Sequence, residues 1–296
     1  MENKRKYPAK VLLFGEYTVL HGAQALAIPF FGKVGEWDKA HPIPTTYQNQ
    51  FVPYLKWLKE HIAPNLLNFE QIENDYQNNL IYQSNIPDGY GLGSSGALCA
   101  AIYDRYGKKD EADLSMAQLR TDLASLESFF HGKSSGIDPI VSFVRCPVLR
   151  QRNDRLHQLP QIGWPDEWGI FLIDSGQPRS TAALVKVYQE KLQNDAFNQQ
   201  IDRQLIPSVE HAIHFILSQG WELTWAHLEV ISQFQSMHFT EMIPDHIMPL
   251  WIQISNTDHS RMKLCGAGGG GYFLVFSRDT ERTLALLDGS EYVRVV

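Results

Sequence analysis

Hydrophobic and polar positions along the chain follow two rhythms. Short apolar runs at Val11 to Phe14, Ala25 to Phe30, Gly169 to Ile173 and Tyr272 to Phe276 are bounded by turn residues, which predicts strands. Leu119, Leu123, Leu126 and Phe130 recur at helical spacing, which predicts a helix over about Ser115 to Phe130. Ala97, Leu98, Ala101 and Ile102 mark the apolar face of another helix. That helix would be capped by Ser94 and run to about Tyr106. Further helical stretches are expected near 51–61, 179–197, 201–219 and 223–240, with an irregular loop over 38–50. This alternation predicts an α+β chain with an N-terminal lobe over 1–165 and a C-terminal lobe over 166–296.

Composition narrows the class. The chain has 296 residues, 44% of them hydrophobic and seven of them tryptophan, enough to build a substantial core and too apolar for a disordered chain. A formal charge of −7 supplies no global field for nucleic acid or anionic lipid. Cys99, Cys146 and Cys265 lie far apart without metal-ligand spacing, which suits a reducing compartment. The basic start is followed by only four apolar residues before Gly15, and no apolar run approaches eighteen. Neither a secretory signal nor a membrane span is expected, and the expected location is the cytoplasm.

Two glycine-rich loops carry the chemistry. GLGSSG over residues 91–96 fits the dinucleotide pattern formally. However, a turn-rich NIPDGY precedes it, and Asp113, near the expected acidic position, precedes a helix rather than ending a strand. A phosphate cradle accounts better for the same residues: backbone amides of the loop approach a polyphosphate, and the helix entrance at Ser94 adds unsatisfied N–H donors. The second loop, GAGGGG over 266–271, is followed by a strand, again unlike a dinucleotide unit. A tight turn with a serine cap and a glycine hairpin are the plain local readings of the two loops.

Glu127, on the 115–130 helix, and Asp138, before Pro139 at a helix entrance, flank the turn HGKSSG, so the chain can bring two carboxylates together. Beside a phosphoryl donor, Glu127 would hold magnesium and Asp138 would receive or align an acceptor alcohol. Lys10, before the first strand, would help position the alcohol or stabilise the transferring phosphate. A surface glutamate, a helix cap and a solvated lysine are the ordinary local alternatives. Glu127 and His131 have i,i+4 spacing, but no third ligand supports zinc.

Together PAKVLLFGEYTVLHGAQALA, PDGYGLGSSG and KLCGAGGGG resemble the three motifs of the GHMP small-molecule kinases, in order and across nearly the whole chain. ESFFHGKSSGIDPIVS, with Glu127 eleven residues before Asp138, is most similar to mevalonate kinases, particularly the compact kind of flavobacterium-related bacteria. The resemblance implies a two-lobed GHMP kinase fold with the site between the lobes. It implies ATP and Mg2+ as cofactors and transfer of the γ-phosphoryl to the C5 hydroxyl of (R)-mevalonate. Asp138 and Lys10 would be catalytic, and Glu127 and Ser95 would hold the metal. Gly89, Gly91, Leu92, Gly93, Ser94, Ser95 and Gly96 would bind the nucleotide. Glu16, Tyr17, Gly266, Ala267, Gly268 and Gly269 would lie on the substrate side. The expected partner is a small-molecule alcohol, with neither nucleic acid nor membrane; a homodimer is compatible with this reading. Three departures stand out: Tyr17 replaces the histidine of GEH found in many mevalonate kinases, Tyr90 replaces a small residue before GLG, and Gly96 replaces an alanine, which would loosen the first helical turn. A GHMP kinase for another alcohol or phosphate acceptor, or a noncatalytic ligand-binding member, are the alternatives.

Overall fold

The computed structural model describes residues 4–109, 114–179 and 181–296. Its residues cluster into two compact units. One comprises the chain up to Lys10, Pro29–Pro87 and Leu92–Val148. The other comprises Val11–Ile28, Asp88–Gly91 and Leu149–Val296. Strands β1 (Tyr7–Phe14) and β2 (Ala25–Lys39) each contribute residues to both.

The first sheet runs β1-β2-β4-β5, with β4 at Val148–Arg150 and β5 at Leu156–Gln158, and β3 (Leu80–Ser84) pairs with β2 off this path. The β2–β3 pairing is antiparallel. NIPDGY is a turn, as expected, between β3 and the GLGSSG loop, and β3 is antiparallel to its neighbour, so the loop lies outside a parallel βαβ unit. Asp113 falls outside the described residues.

Four helices surround the loop's own helix in sequence: α1 (Thr45–His61) and α2 (Phe69–Gln77) precede α3 (Ser94–Tyr106), and α4 (Met116–His131) and α5 (Ile137–Val144) follow it. Small residues dominate the buried face of α3, with Gly96, Ala97, Ala100 and Ala101 all buried. Such a face lets a neighbouring backbone approach closely. On α4 the periodic Leu119, Leu123 and Leu126 are buried as their spacing predicts. Each stabilises the fold by about 1.5–3 kcal/mol relative to exposure. Phe130 departs from that stripe: it is 38% exposed, and its ring leans on Tyr54 at 4.9 Å. Ser115 caps α4, its hydroxyl accepting from the Gln118 N–H at 3.2 Å.

In the second unit β6 (Gly169–Asp174) lies in the order β7-β8-β6-β9, with β7 at Ser260–Leu264, β8 at Tyr272–Ser277 and β9 at Tyr292–Arg294. The pairings β7–β8, β6–β8 and β6–β9 are all antiparallel. The helical stretch expected over 179–197 breaks into α6 (Thr181–Lys191) and α7 (Asp195–Gln200), where Asn194 caps the second piece. A π-helical turn over Ile201–Leu205 leads into α8 (Ile206–Leu217), and α9 (Trp221–His238), α10 (Met248–Ser255) and α11 (Thr280–Leu286) complete the unit. Among the described residues no helix is long and apolar enough to cross a membrane.

Candidate active site

In the first unit the entrance of α3 collects the groups named from the motifs. The helix is capped by Gly93, with φ 72°, rather than by Ser94, which is its first residue. The serine lies one position inside the helix because the left-handed turn at Gly93 already starts it. Ala97 N–H closes on the Gly93 carbonyl at 2.9 Å, leaving the amides of Ser94, Ser95 and Gly96 beyond the reach of the helical ladder. Asp138 lies in the first turn of α5. A Cβ placed on Gly93 would come within 3.3 Å of its Oδ2, so the carboxylate stands against this helix mouth.

Gly96 has a separate reason. A Cβ there would meet the Pro139 nitrogen at 2.8 Å and the Asp138 carbonyl carbon at 2.9 Å, closer than packed atoms tolerate. The glycine that looked like a weak first turn is what lets α3 and α5 cross so tightly.

Lys10 reaches Asp138 from β1. Its backbone N–H donates to the Leu92 carbonyl at 2.8 Å, and its Nζ lies 2.9 Å from Asp138 Oδ1, with 8% of the lysine side chain exposed. Two residues earlier the Pro8 carbonyl accepts from Ser142 Oγ at 2.8 Å, so strand and helix are pinned on both sides of the pair. Glu127 is buried. Its Oε1 accepts from Ser95 Oγ at 3.1 Å and its Oε2 from Ser134 Oγ, whose oxygen in turn accepts from the Gly136 N–H at 2.9 Å. His131 Nε2 also lies 3.1 Å from Ser95 Oγ. Burial above all, and then the charge of Asp138, push the Glu127 carboxyl up to about 7, against the opposing hydroxyls and Lys10.

In the second unit the first motif and the last glycine loop meet. Glu16 and Lys263 form a buried ion pair at 2.5 Å, and Lys263 Nζ also donates to the Leu264 carbonyl at 2.7 Å. Burial raises the Glu16 carboxyl, and Lys263 opposes it. Tyr17 Oη donates to the Ala267 carbonyl at 2.7 Å. Gly269 N–H donates to the Met242 carbonyl at 2.6 Å. Arg179 packs on both glycine loops: its Nη1 donates to the Cys265 carbonyl at 2.6 Å and its backbone N–H to the Gly89 carbonyl at 3.2 Å. A Cβ on Gly91 or Gly266, both at positive φ, would come within 2.0 or 2.6 Å of its Nη2.

The structure thus brings Lys10, Gly93, Ser95, Gly96, Glu127 and Asp138 into one cluster, and Glu16, Tyr17 and Ala267 into another beside Gly266 and Gly269. Gly268 packs on the Met242 carbonyl of the same loop support. Arg179, Ser134 and the pairing role of Lys263 escaped the sequence. The one cue for Arg179 was a cation between a strand and a helix start. Ser134 lay inside a turn whose small residues read as punctuation.

Four likenesses to known proteins bear on this arrangement. Residues 56–145 match the model of the GHMP kinases N terminal domain. The mevalonate kinase of Pyrococcus abyssi is 24% identical over 314 residues, spanning 94% of this chain and 89% of that protein. The L. major mevalonate kinase in complex with R-mevalonate superimposes with a TM-score of 0.65 at 18% identity, covering 98% of this chain and 91% of that one. The Streptococcus pneumoniae phosphomevalonate kinase in complex with phosphomevalonate and AMPPNP gives the same TM-score at 17% identity, covering 99% of each chain. The last two likenesses are of fold. With the domain matched over residues 56–145, the relatives along nearly the full chain and the motifs in order, this protein is a small-molecule kinase similar to the GHMP kinases.

Proposed function

We propose that this kinase transfers the γ-phosphoryl group of ATP to the C5 hydroxyl of (R)-mevalonate, giving 5-phosphomevalonate and ADP. The observation that carries the reading is the Asp138 carboxylate held by Lys10 at 2.9 Å against the entrance of α3, with Glu127 and Ser95 beside the same helix end. The names of the curated relatives and the Glu127–Asp138 spacing support mevalonate as the acceptor.

The amides of Ser94, Ser95 and Gly96 and the loop from Gly89 through Leu92 and Gly93 receive the negative oxygens of the donor. Asp138 accepts the proton of the acceptor hydroxyl or directs its attack. The new bond joins the acceptor oxygen to the γ-phosphorus as the bond to the β,γ-bridging oxygen breaks, and the released charge passes to ADP. Lys10 offsets charge developing on the transferring group.

The donor set fits a hard cation. Among the described residues no group of three or more His, Cys, Asp or Glu forms a closed cage, and magnesium is ordinarily held by one or two carboxylates with phosphate oxygens completing its shell. Glu127 and Ser95 would hold Mg2+, whose charge would offset that of the phosphates. Gly266, Ala267, Gly268 and Gly269, backed by Glu16 and Tyr17, take the acceptor-side role. Arg179, packed against that loop, favours an acceptor bearing a carboxylate or phosphate over a neutral sugar.

The test is a panel of (R)-mevalonate, phosphomevalonate, homoserine and galactose with ATP and Mg2+, read by ADP release and product mass. Turnover is expected with mevalonate; turnover of another acceptor in its absence would overturn the assignment. D138N is expected to bind nucleotide normally and lose at least about 100-fold in kcat. Wild-type turnover in that variant would remove Asp138 from the mechanism.

A further inference from the structure

Tyr17 follows Glu16 in the first motif, and its surroundings define its task. Its side chain is buried, and its hydroxyl is committed to the Ala267 carbonyl at 2.7 Å. Its ring lies between Tyr188 and Phe239, with centroids 4.6 and 5.2 Å away. Tyr188 is fixed in turn, its hydroxyl 2.7 Å from His21 Nε2. Tyr17 also sits at φ 60° and ψ −40°, a conformation that a bulky residue keeps only when its neighbours hold it there. The preceding residue, Glu16, grips Lys263 just before the glycine loop, and Gly269 is held by Met242, in the turn that follows Phe239. The loop is thereby fastened before, within and after Ala267, and the middle fastening is a single phenol oxygen.

We infer that Tyr17 is a positioning residue that sets the acceptor loop by clamping the Ala267 carbonyl, without itself touching the acceptor. The inference rests on the acceptor-side role proposed for Gly266 to Gly269. A buried carbonyl that loses its donor must seek another partner, and a loop of consecutive glycines has the freedom to do so. An imidazole is shorter than a phenol and does not span the same distance from this backbone.

Tyr17→Phe keeps the ring in its aromatic slot and removes only the clamp. Two readouts are taken: hydrogen–deuterium exchange over residues 263–271 in the substrate-free protein, and steady-state kinetics with acceptor and ATP varied separately. Exchange in that segment is expected to quicken several-fold. The acceptor KM should rise about five- to tenfold, the size of one lost buried hydrogen bond, with kcat within about twofold and the ATP KM unchanged. A raised acceptor KM with unaltered exchange would mean that the hydroxyl meets the acceptor directly, and would overturn the clamp. Faster exchange with an unaltered acceptor KM would overturn the loop's part in acceptor binding. Unaltered exchange and kinetics would overturn both. Failure of the wild type to turn over any acceptor would strike the proposed function instead, while the exchange measurement would still decide whether Tyr17 holds the loop.

Discussion

Burial pushes the Glu127 carboxyl up to about 7, which ties the cluster to pH. In the unfolded chain it ionises near its ordinary value, about 4.5. Between those values the folded protein binds more protons than the unfolded one, so its stability falls as pH rises through the window. Without metal or nucleotide, wild type is therefore expected to lose roughly 1–3 kcal/mol between pH 5 and 8 relative to E127Q. The two should be close in stability at pH 5. Thermal denaturation at both pH values checks this, and parallel profiles would contradict the raised carboxyl. Magnesium and a nucleotide analogue added at pH 8 should stabilise wild type more than E127Q. The carboxylates and Lys10 were legible because each sits inside a motif with fixed spacing. Ser134 was not, since its value depends on a turn folding back onto Glu127, a contact that no local pattern encodes.

Helix entrances carry the chemistry at the next scale, and Gly96 shows how an element can be misjudged from propensity alone. Alanine is about 1 kcal/mol better than glycine inside a helix, yet G96A is expected to destabilise the protein by about 1–3 kcal/mol. The added methyl would drive into Pro139 and Asp138, move α5 off α3 and take Asp138 away from Lys10. A drop in kcat/KM of at least about tenfold should accompany the change. Chemical denaturation and kinetics on one preparation test both halves, and a more stable G96A with full activity would refute the tight crossing. α3 and α4 were readable from periodicity, β6 and β8 from their apolar runs, and the entrance of α5 from Pro139. The shortest elements, β4, β5 and β9, span only three residues each, too few for a repeat to declare itself. The split of α6 from α7 followed from Asn194, a cap signal inside an otherwise continuous polar stretch.

At the scale of the whole molecule, residues distant in sequence complete one another. Glu16 and Lys263 are 247 positions apart and each is 1% exposed. K263M strands a buried carboxylate and is expected to cost about 3–5 kcal/mol, while adding E16L should recover most of that loss. Urea denaturation of the two variants reads this directly; an additive double mutant would show that the groups do not depend on each other. The order of the three motifs carried the resemblance along the chain, but which motif residue grips which could not be read before the strands were placed. The same long reach shapes how the protein is made. The segment 11–28 leaves the ribosome early, whereas Lys263, Ala267 and Phe276, which engage Glu16, Tyr17 and Phe14, are synthesised about 250 residues later. At about 5–20 residues per second that interval lasts on the order of ten seconds or more. Throughout it Phe14, Glu16 and Tyr17 wait for those late partners, so a stall late in translation would hand chaperones and proteases their opening there.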